Sequence, residues 1–242
     1  MKLLSLFTTF FIANAVDYRQ KMMKADSSKT FDENQIFEQM GVGTLGIYQY
    51  PFELNQLMYD LDGQFPELVR KFSVGKTHEG RDIMGYLIGL DLTSKDATMA
   101  KPAIIIDGAH HPRELSTISM SVYTMLRLLY GYVKEDPDTM YLLNRSAIVI
   151  IPAVNVDGYQ AIGADYWYNQ EFTYVRKNTH AYDVQTATCA DSSQYGVDLK
   201  RNYGYNFAYD ELGSSSNPCS DNYRGPSAFS EPETAALRDL MD

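Results

Sequence analysis

Two short apolar runs, Ile104-Ile105-Ile106 and Ala147 to Val154, constrain what this chain can fold into more than any other feature. Neither alternates with polar residues, and a continuous apolar run of strand length marks a strand covered on both faces. Between them, Ser116 to Tyr132 sets Met120, Val122, Leu126 and Leu129 at helical spacing. Buried strands alternating with helices predict an α/β fold, a mixed, mostly parallel sheet flanked by helices. Upstream, Phe72-Ser73-Val74 and Ile83 to Leu90 read as two strands joined by a polar turn around His78-Glu79-Gly80-Arg81. From Pro51 to Phe72 the apolar positions again recur at helical spacing, with breaks at Gly63 and Pro66. Beyond Gln160 the chain is rich in Tyr, Asn, Ser and Gly and reads as loop, until Pro232 to Asp242 resumes a helical pattern.

A chain of 242 residues, 45% of them hydrophobic, supports one domain with a sizeable core. Its first fifteen residues fit a signal peptide: Lys2, an apolar stretch to Ala13, then Ala13-Asn14-Ala15 as a small-x-small cleavage site. That stretch is shorter than the roughly twenty residues that span a bilayer, so the chain is expected to be secreted. Residues 16–42 are polar, without clear periodicity, and read as a short leader. Cys189 and Cys219, an even pair in an exported chain, point to a disulfide. Closing a loop of that length stabilises a fold by roughly 3 to 4 kcal/mol in the chain-entropy model. The net charge is −10, and removing a leader with one lysine and no acid leaves the remainder more acidic still. An acidic surface repels nucleic acid and anionic membranes, which excludes both as primary partners.

Chemistry in an open α/β sheet collects at the carboxyl ends of its strands. The first such end here is Asp107-Gly108-Ala109-His110-His111-Pro112-Arg113-Glu114. Imidazole and carboxylate are both zinc ligands, and one turn of backbone between His111 and Glu114 sets them on one side. Alone, the pair is also what an ordinary polar surface shows. The second strand runs into Asn155-Val156-Asp157-Gly158. Further on come Tyr174-Val175-Arg176-Lys177, Gly196-Val197-Asp198-Leu199-Lys200-Arg201-Asn202-Tyr203, Asn217-Pro218-Cys219, Tyr223-Arg224-Gly225-Pro226 and Phe229-Ser230-Glu231-Pro232-Glu233. Taken together and in this order, these segments resemble the zinc carboxypeptidase family, of the carboxypeptidase A/B kind, from about Gly43 to Asp242.

The resemblance implies a role for each matched position. His111 and Glu114 stand where the family has two of its three protein ligands to a single zinc ion. Asp198 stands where a carboxylate orients the ligating histidine. Arg113 and Arg201 are expected to grip the terminal carboxylate of a peptide substrate, since a guanidinium fork matches that planar anion. Arg176 is expected to stabilise the developing oxyanion. His110 falls in the wrong register for a ligand, and His78 and His180 read as solvated histidines. Lys200 departs from the family pattern, which has asparagine there; it brings a flexible point charge to carboxylate recognition in place of a fixed amide.

The family's third zinc ligand, a substrate-contacting tyrosine and the general-base glutamate are expected beyond Asp242. Residues 43–242 thus correspond to the N-terminal two-thirds of such a domain, and the C-terminal third would continue the sheet. Without it, a parallel strand is expected at an open edge. The implied function is that of a secreted zinc metallocarboxypeptidase acting on peptide or protein C-termini, inactive in the span given. Two alternatives stand beside it: a secreted, non-catalytic carboxypeptidase-like peptide binder, and a related zinc amidohydrolase.

Overall fold

The computed structural model describes residues 18–24, 48–58, 60–180, 189 and 195–242. The expected signal segment lies outside the described residues, as does most of the 16–42 leader. In chain order the elements are α1 (Tyr18–Lys24), α2 (Pro51–Leu57), α3 (Leu61–Gln64), β1 (Val69–Lys76), β2 (Asp82–Ile88), α4 (Lys95–Met99) and β3 (Ala103–Asp107). They continue with α5 (Leu115–Val133), α6 (Pro137–Arg145), β4 (Ala147–Ile151), α7 (Val156–Asn169), a 3-10 turn (Leu199–Arg201) and α8 (Pro232–Met241). No helix among the described residues is long and apolar enough to cross a membrane.

The strands form one mixed sheet in the order β1-β2-β4-β3. β1 and β2 make an antiparallel hairpin (Val69 opposite Ile88), β2 pairs antiparallel with β4 (Tyr86 opposite Ile150), and β3 runs parallel to β4 (Ile105 opposite Val149). A mixed sheet flanked by helices is as the sequence implies, but among the described residues it is not mostly parallel: β3 and β4 pair parallel, and the β1–β2 and β2–β4 pairings are antiparallel.

Side chains alternate across each strand, so β4 serves two cores. Ile148 and Ile150 join Tyr86, Ile88 and the α5 residues Ile118, Val122, Met125, Leu126 and Leu129 on one face. Val149 and Ile151 join Ile83, Val154, Leu199, Ala236 and Leu237 on the other, beneath α8. All five β4 residues are buried, as their unbroken apolar run predicts.

β3 departs from that reading. Its run was expected to be covered on both faces, yet Ile104 is 40% exposed and the strand lies at the end of the sheet order. An apolar run reports the side chains a strand offers, whereas its place in the sheet decides which are covered.

Helix α7 is the other difference, since Gln160 onward read as loop. Its start is capped, with Asn155 Oδ1 accepting the Gly158 N–H at 3.0 Å. Gly163 is required by packing rather than by a turn: a Cβ there would sit 2.7 Å from Pro51 Cδ of α2. Tyr159, fully buried, donates its hydroxyl hydrogen to Gln49 O at 2.7 Å. Residues that look like loop formers are here the contact face of a helix.

Candidate functional site

The segment 108–114 is fastened between the end of β3 and the start of α5. Gly108 N donates to Ile151 O and Gly108 O accepts from Val154 N, both at 2.9 Å. A Cβ at Gly108 would lie 2.6 Å from Pro152 O, so only glycine lets the two strand ends approach this closely. Ala109 N donates to Thr117 Oγ1 at 2.8 Å, and the same hydroxyl donates to Glu114 O at 2.7 Å. Glu114 N reaches back to His111 O at 3.0 Å. This single turn puts His111 and Glu114 side by side, Nδ1 and Oε1 being 2.8 Å apart.

The second imidazole nitrogen faces a different carboxylate. His111 Nε2 lies 2.9 Å from Asp198 Oδ1, across 87 positions of sequence, with Asp198 at 0% exposure. Asp198 itself opens the 3-10 turn, accepting from Lys200 N at 3.0 Å. Its other oxygen takes Arg176 Nη2 at 2.7 Å and Nε at 3.1 Å. Burial pushes the Asp198 carboxyl up, yet the His111 hydrogen bond and the His111 and Arg176 charges outweigh it and hold the group below its usual range. For Glu114 too, burial raises and the His111 and Lys200 contacts lower, with the lowering prevailing. Both carboxyls are therefore anions at neutral pH.

The expected site residues divide into two groups. His111, Glu114, Asp198, Arg176 and Lys200 form one connected cluster. Arg176 Nη1 lies 3.3 Å from His111 Nδ1, and Lys200 Nζ lies 3.3 Å from Glu114 Oε2. Arg113 and Arg201 stand apart from that network. Among the described residues the Arg113 guanidinium makes no hydrogen bond or ion pair, and Arg201 Nε is buried without a partner. Lys200 and Arg201 line an open cleft of ≈ 340 Å³ shared with Tyr203, Tyr205 and Tyr209. Cys189 and Cys219 are joined as a disulfide, their Cα atoms 5.3 Å apart.

Two contacts lay beyond the sequence reading. His110, given no ligand role, connects Asp107 Oδ1 (3.1 Å) to the Tyr203 hydroxyl (2.6 Å), tying the site loop to the 3-10 segment. His180, read as solvated, is half-buried and sits 3.0 Å from the buried Glu231 carboxylate, while its ring stacks on the exposed His78 at 3.9 Å. No local pattern could reveal partners 93 and 51 positions away.

A family model described as zinc carboxypeptidase matches residues 54–242. The chain belongs to the zinc carboxypeptidase family. It is 30% identical to carboxypeptidase A2 of Mus musculus over 81% of this chain and 42% of that protein. It is 31% identical to carboxypeptidase B of Homo sapiens over 73% of this chain and 37% of that one. A further relative, 30% identical over 83% of the chain and 31% of its own length, is the inactive metallocarboxypeptidase ecm14 of Talaromyces marneffei. Among solved structures, carboxypeptidase A from Helicoverpa armigera aligns with a TM-score of 0.63 at 27% identity, over 86% of this chain and 48% of that one. The chain spans between about a third and two fifths of the length of these curated relatives.

Membership in a zinc carboxypeptidase family poses the question of whether the residues present fit zinc. The donor types do: an imidazole nitrogen and a carboxylate oxygen face each other, and the histidine's remaining nitrogen is held by a second carboxylate. The donor number falls short. Among the described residues no group of three or more His, Cys, Asp or Glu is placed to hold a metal ion.

Proposed function

We propose that this chain is the ligand-bearing N-terminal part of a secreted zinc-dependent carboxypeptidase that removes C-terminal residues from peptides. The observation that carries the proposal is the pair of contacts made by His111. Each ring nitrogen of His111 faces a carboxylate oxygen, Nε2 that of Asp198 at 2.9 Å and Nδ1 that of Glu114 at 2.8 Å. In the tautomer that donates from Nε2 to Asp198, the Nδ1 lone pair and the Glu114 carboxylate turn two donor atoms toward one point, the pairing a zinc ion takes.

In this reading His111 and Glu114 hold the zinc, with Asp198 fixing the imidazole's tautomer and orientation. A third ligand and a general-base glutamate are expected beyond Asp242. The ion, when bound, supplies Lewis acidity and lowers the pKa of its water to about 7. The rest of the work belongs to the chain's own groups. Arg113 and Arg201, whose guanidinium groups have no carboxylate partner among the described residues, present planar donors to the terminal carboxylate of a peptide. Arg176, anchored through Nε and Nη2 on Asp198, keeps Nη1 beside His111 and is placed to stabilise charge that develops on a scissile carbonyl oxygen. Secretion rests on the pattern of residues 1–15 and agrees with the disulfide.

A second reading, a non-catalytic peptide binder, draws support from the ion pair between Lys200 and Glu114. Reading the transcript past the codon for Asp242 and assaying the resulting chain separates the two. The enzyme reading expects a histidine, then a tyrosine and a glutamate in family order, with zinc-dependent release of C-terminal amino acids that His111→Ala and Glu114→Gln abolish. A stop codon after Asp242, or a complete chain that takes up zinc and releases nothing, would leave the binder.

A further inference from the structure

Each of the two candidate zinc ligands has a cation of the protein beside it, Arg176 at His111 Nδ1 and Lys200 at Glu114 Oε2, the carboxylate oxygen turned away from His111, and the two cations are held very differently. Arg176 lies 3.3 Å from His111 Nδ1, but it is only 15% exposed and its guanidinium is tied to Asp198 and to Asp221 O. It is part of the frame. Lys200 is 44% exposed, its ammonium has Glu114 as its one partner among the described residues, and Glu114 is itself 37% exposed. An exposed pair of this kind holds together by about 0 to 1 kcal/mol, so it forms and opens readily.

A metal ion at this site needs the same carboxylate. It must either displace the Lys200 ammonium from Glu114 or accept a positive charge close beside it. The family pattern carries asparagine at this position, which has neither the charge nor the reach to make that pair. Lys200 also lines the cleft that holds Arg201, so the ammonium has somewhere to go when it leaves Glu114.

We propose that Lys200 is a resident competitor cation: it occupies Glu114 in the absence of metal and lowers the affinity of the site for zinc. The inference rests on the reading of His111 and Glu114 as zinc ligands. Between an ammonium and a divalent ion near a solvated surface, repulsion changes affinity by about one order of magnitude.

The test is a zinc titration of the full chain against a chromophoric chelator, comparing wild type with Lys200→Asn, Lys200→Met and Lys200→Arg, and with His111→Ala as background. Because Lys200 is exposed, these substitutions leave the fold intact, which circular dichroism checks. Lys200→Asn and Lys200→Met are expected to bind zinc about tenfold tighter than wild type, Lys200→Arg to match wild type, and the gap to narrow as salt is raised. Equal affinity in wild type, Lys200→Asn and Lys200→Met overturns the competitor role and leaves the metal site standing. A gain confined to Lys200→Asn also overturns it, since that would trace to the amide and not to the lost charge. Zinc binding no stronger than the His111→Ala background in every variant overturns both this inference and the metal reading beneath it.

Discussion

The molecule holds two histidine–carboxylate clusters built from the same residue types, and the segment Tyr174–His180 contributes to both. Arg176 reaches into the first, with His111, Glu114 and Asp198; Asn178 and His180 reach into the second, with Glu231 and Glu233. In the second cluster the acceptors are taken by the protein's own donors. Glu231 accepts from Asn178 Nδ2 (2.7 Å) and Ser230 Oγ (2.7 Å) and lies 3.0 Å from His180 Nδ1, while Glu233 accepts the His78 N–H at 2.9 Å. Both glutamates are 0% exposed. In the first cluster only Asp198 is closed in this way, and Glu114 opens to solvent with a weakly held lysine for company. Residue type alone does not make a ligand site. What matters is whether an acceptor is left for something other than the protein.

The comparison breaks most directly at Glu231. Glu231→Ala strips partners from Asn178, His180 and Ser230 in a dry environment and is expected to cost about 2 to 4 kcal/mol of stability, measured by urea denaturation. Zinc affinity should be unchanged. A fall in zinc affinity that persists in the folded variant would mean that the two clusters are not separable.

Lys177, between the residues that serve the two clusters, gives the next largest effect. It is 2% exposed, its ammonium donates to Pro218 O and Ser220 O, and burial pushes its pKa down to about 8. The folded state therefore releases this proton before the unfolded state does, whose lysine titrates near 10.4. Below pH about 8 the group is charged in both states and its burial opposes folding. As pH rises from about 8 towards 10 the unfolded chain binds more protons, and stability rises by about 2 kcal/mol. Lys177→Met should flatten that rise, as denaturant midpoints at pH 8 and 9.5 will show.

The smallest effect separates the clusters by sign. Asp198 is held below its usual range, so its contribution is present above the unfolded carboxyl pKa and is lost as pH falls through the folded one. Glu233 is pushed up, chiefly by burial, and its contribution is full below the unfolded pKa and declines as pH rises through the folded one. The stability difference between wild type and Asp198→Asn should therefore grow with rising pH across the acid range, and that between wild type and Glu233→Gln should shrink. Parallel trends in urea-denaturation series would show that the two sites do not differ as the structure implies.

Legibility from sequence followed the range of each interaction. The hairpin, α5, the β4 core strand and α8 were readable because their patterns lie within a few residues, as does the turn that sets His111 beside Glu114. The family resemblance extended this to Asp198, whose contact with His111 no local pattern carries. Helix α7 escaped because Gly163 lies against Pro51 of α2 and Tyr159 is buried on Gln49 O, so these residues do not mark a loop.

The local chemistry is written along the chain: which side chains share a turn, which strand runs are apolar, and to which family their order belongs. Packing of the folded chain is what sets β3 at an edge, joins Asp107 to Tyr203 through His110, brings His180 to Glu231 and rests Lys200 on Glu114. The physical reason is the same for all four. A side chain's partner across 50 or more positions, or a strand's neighbour in a sheet, depends on how whole elements pack, and composition and spacing along the chain carry no record of it.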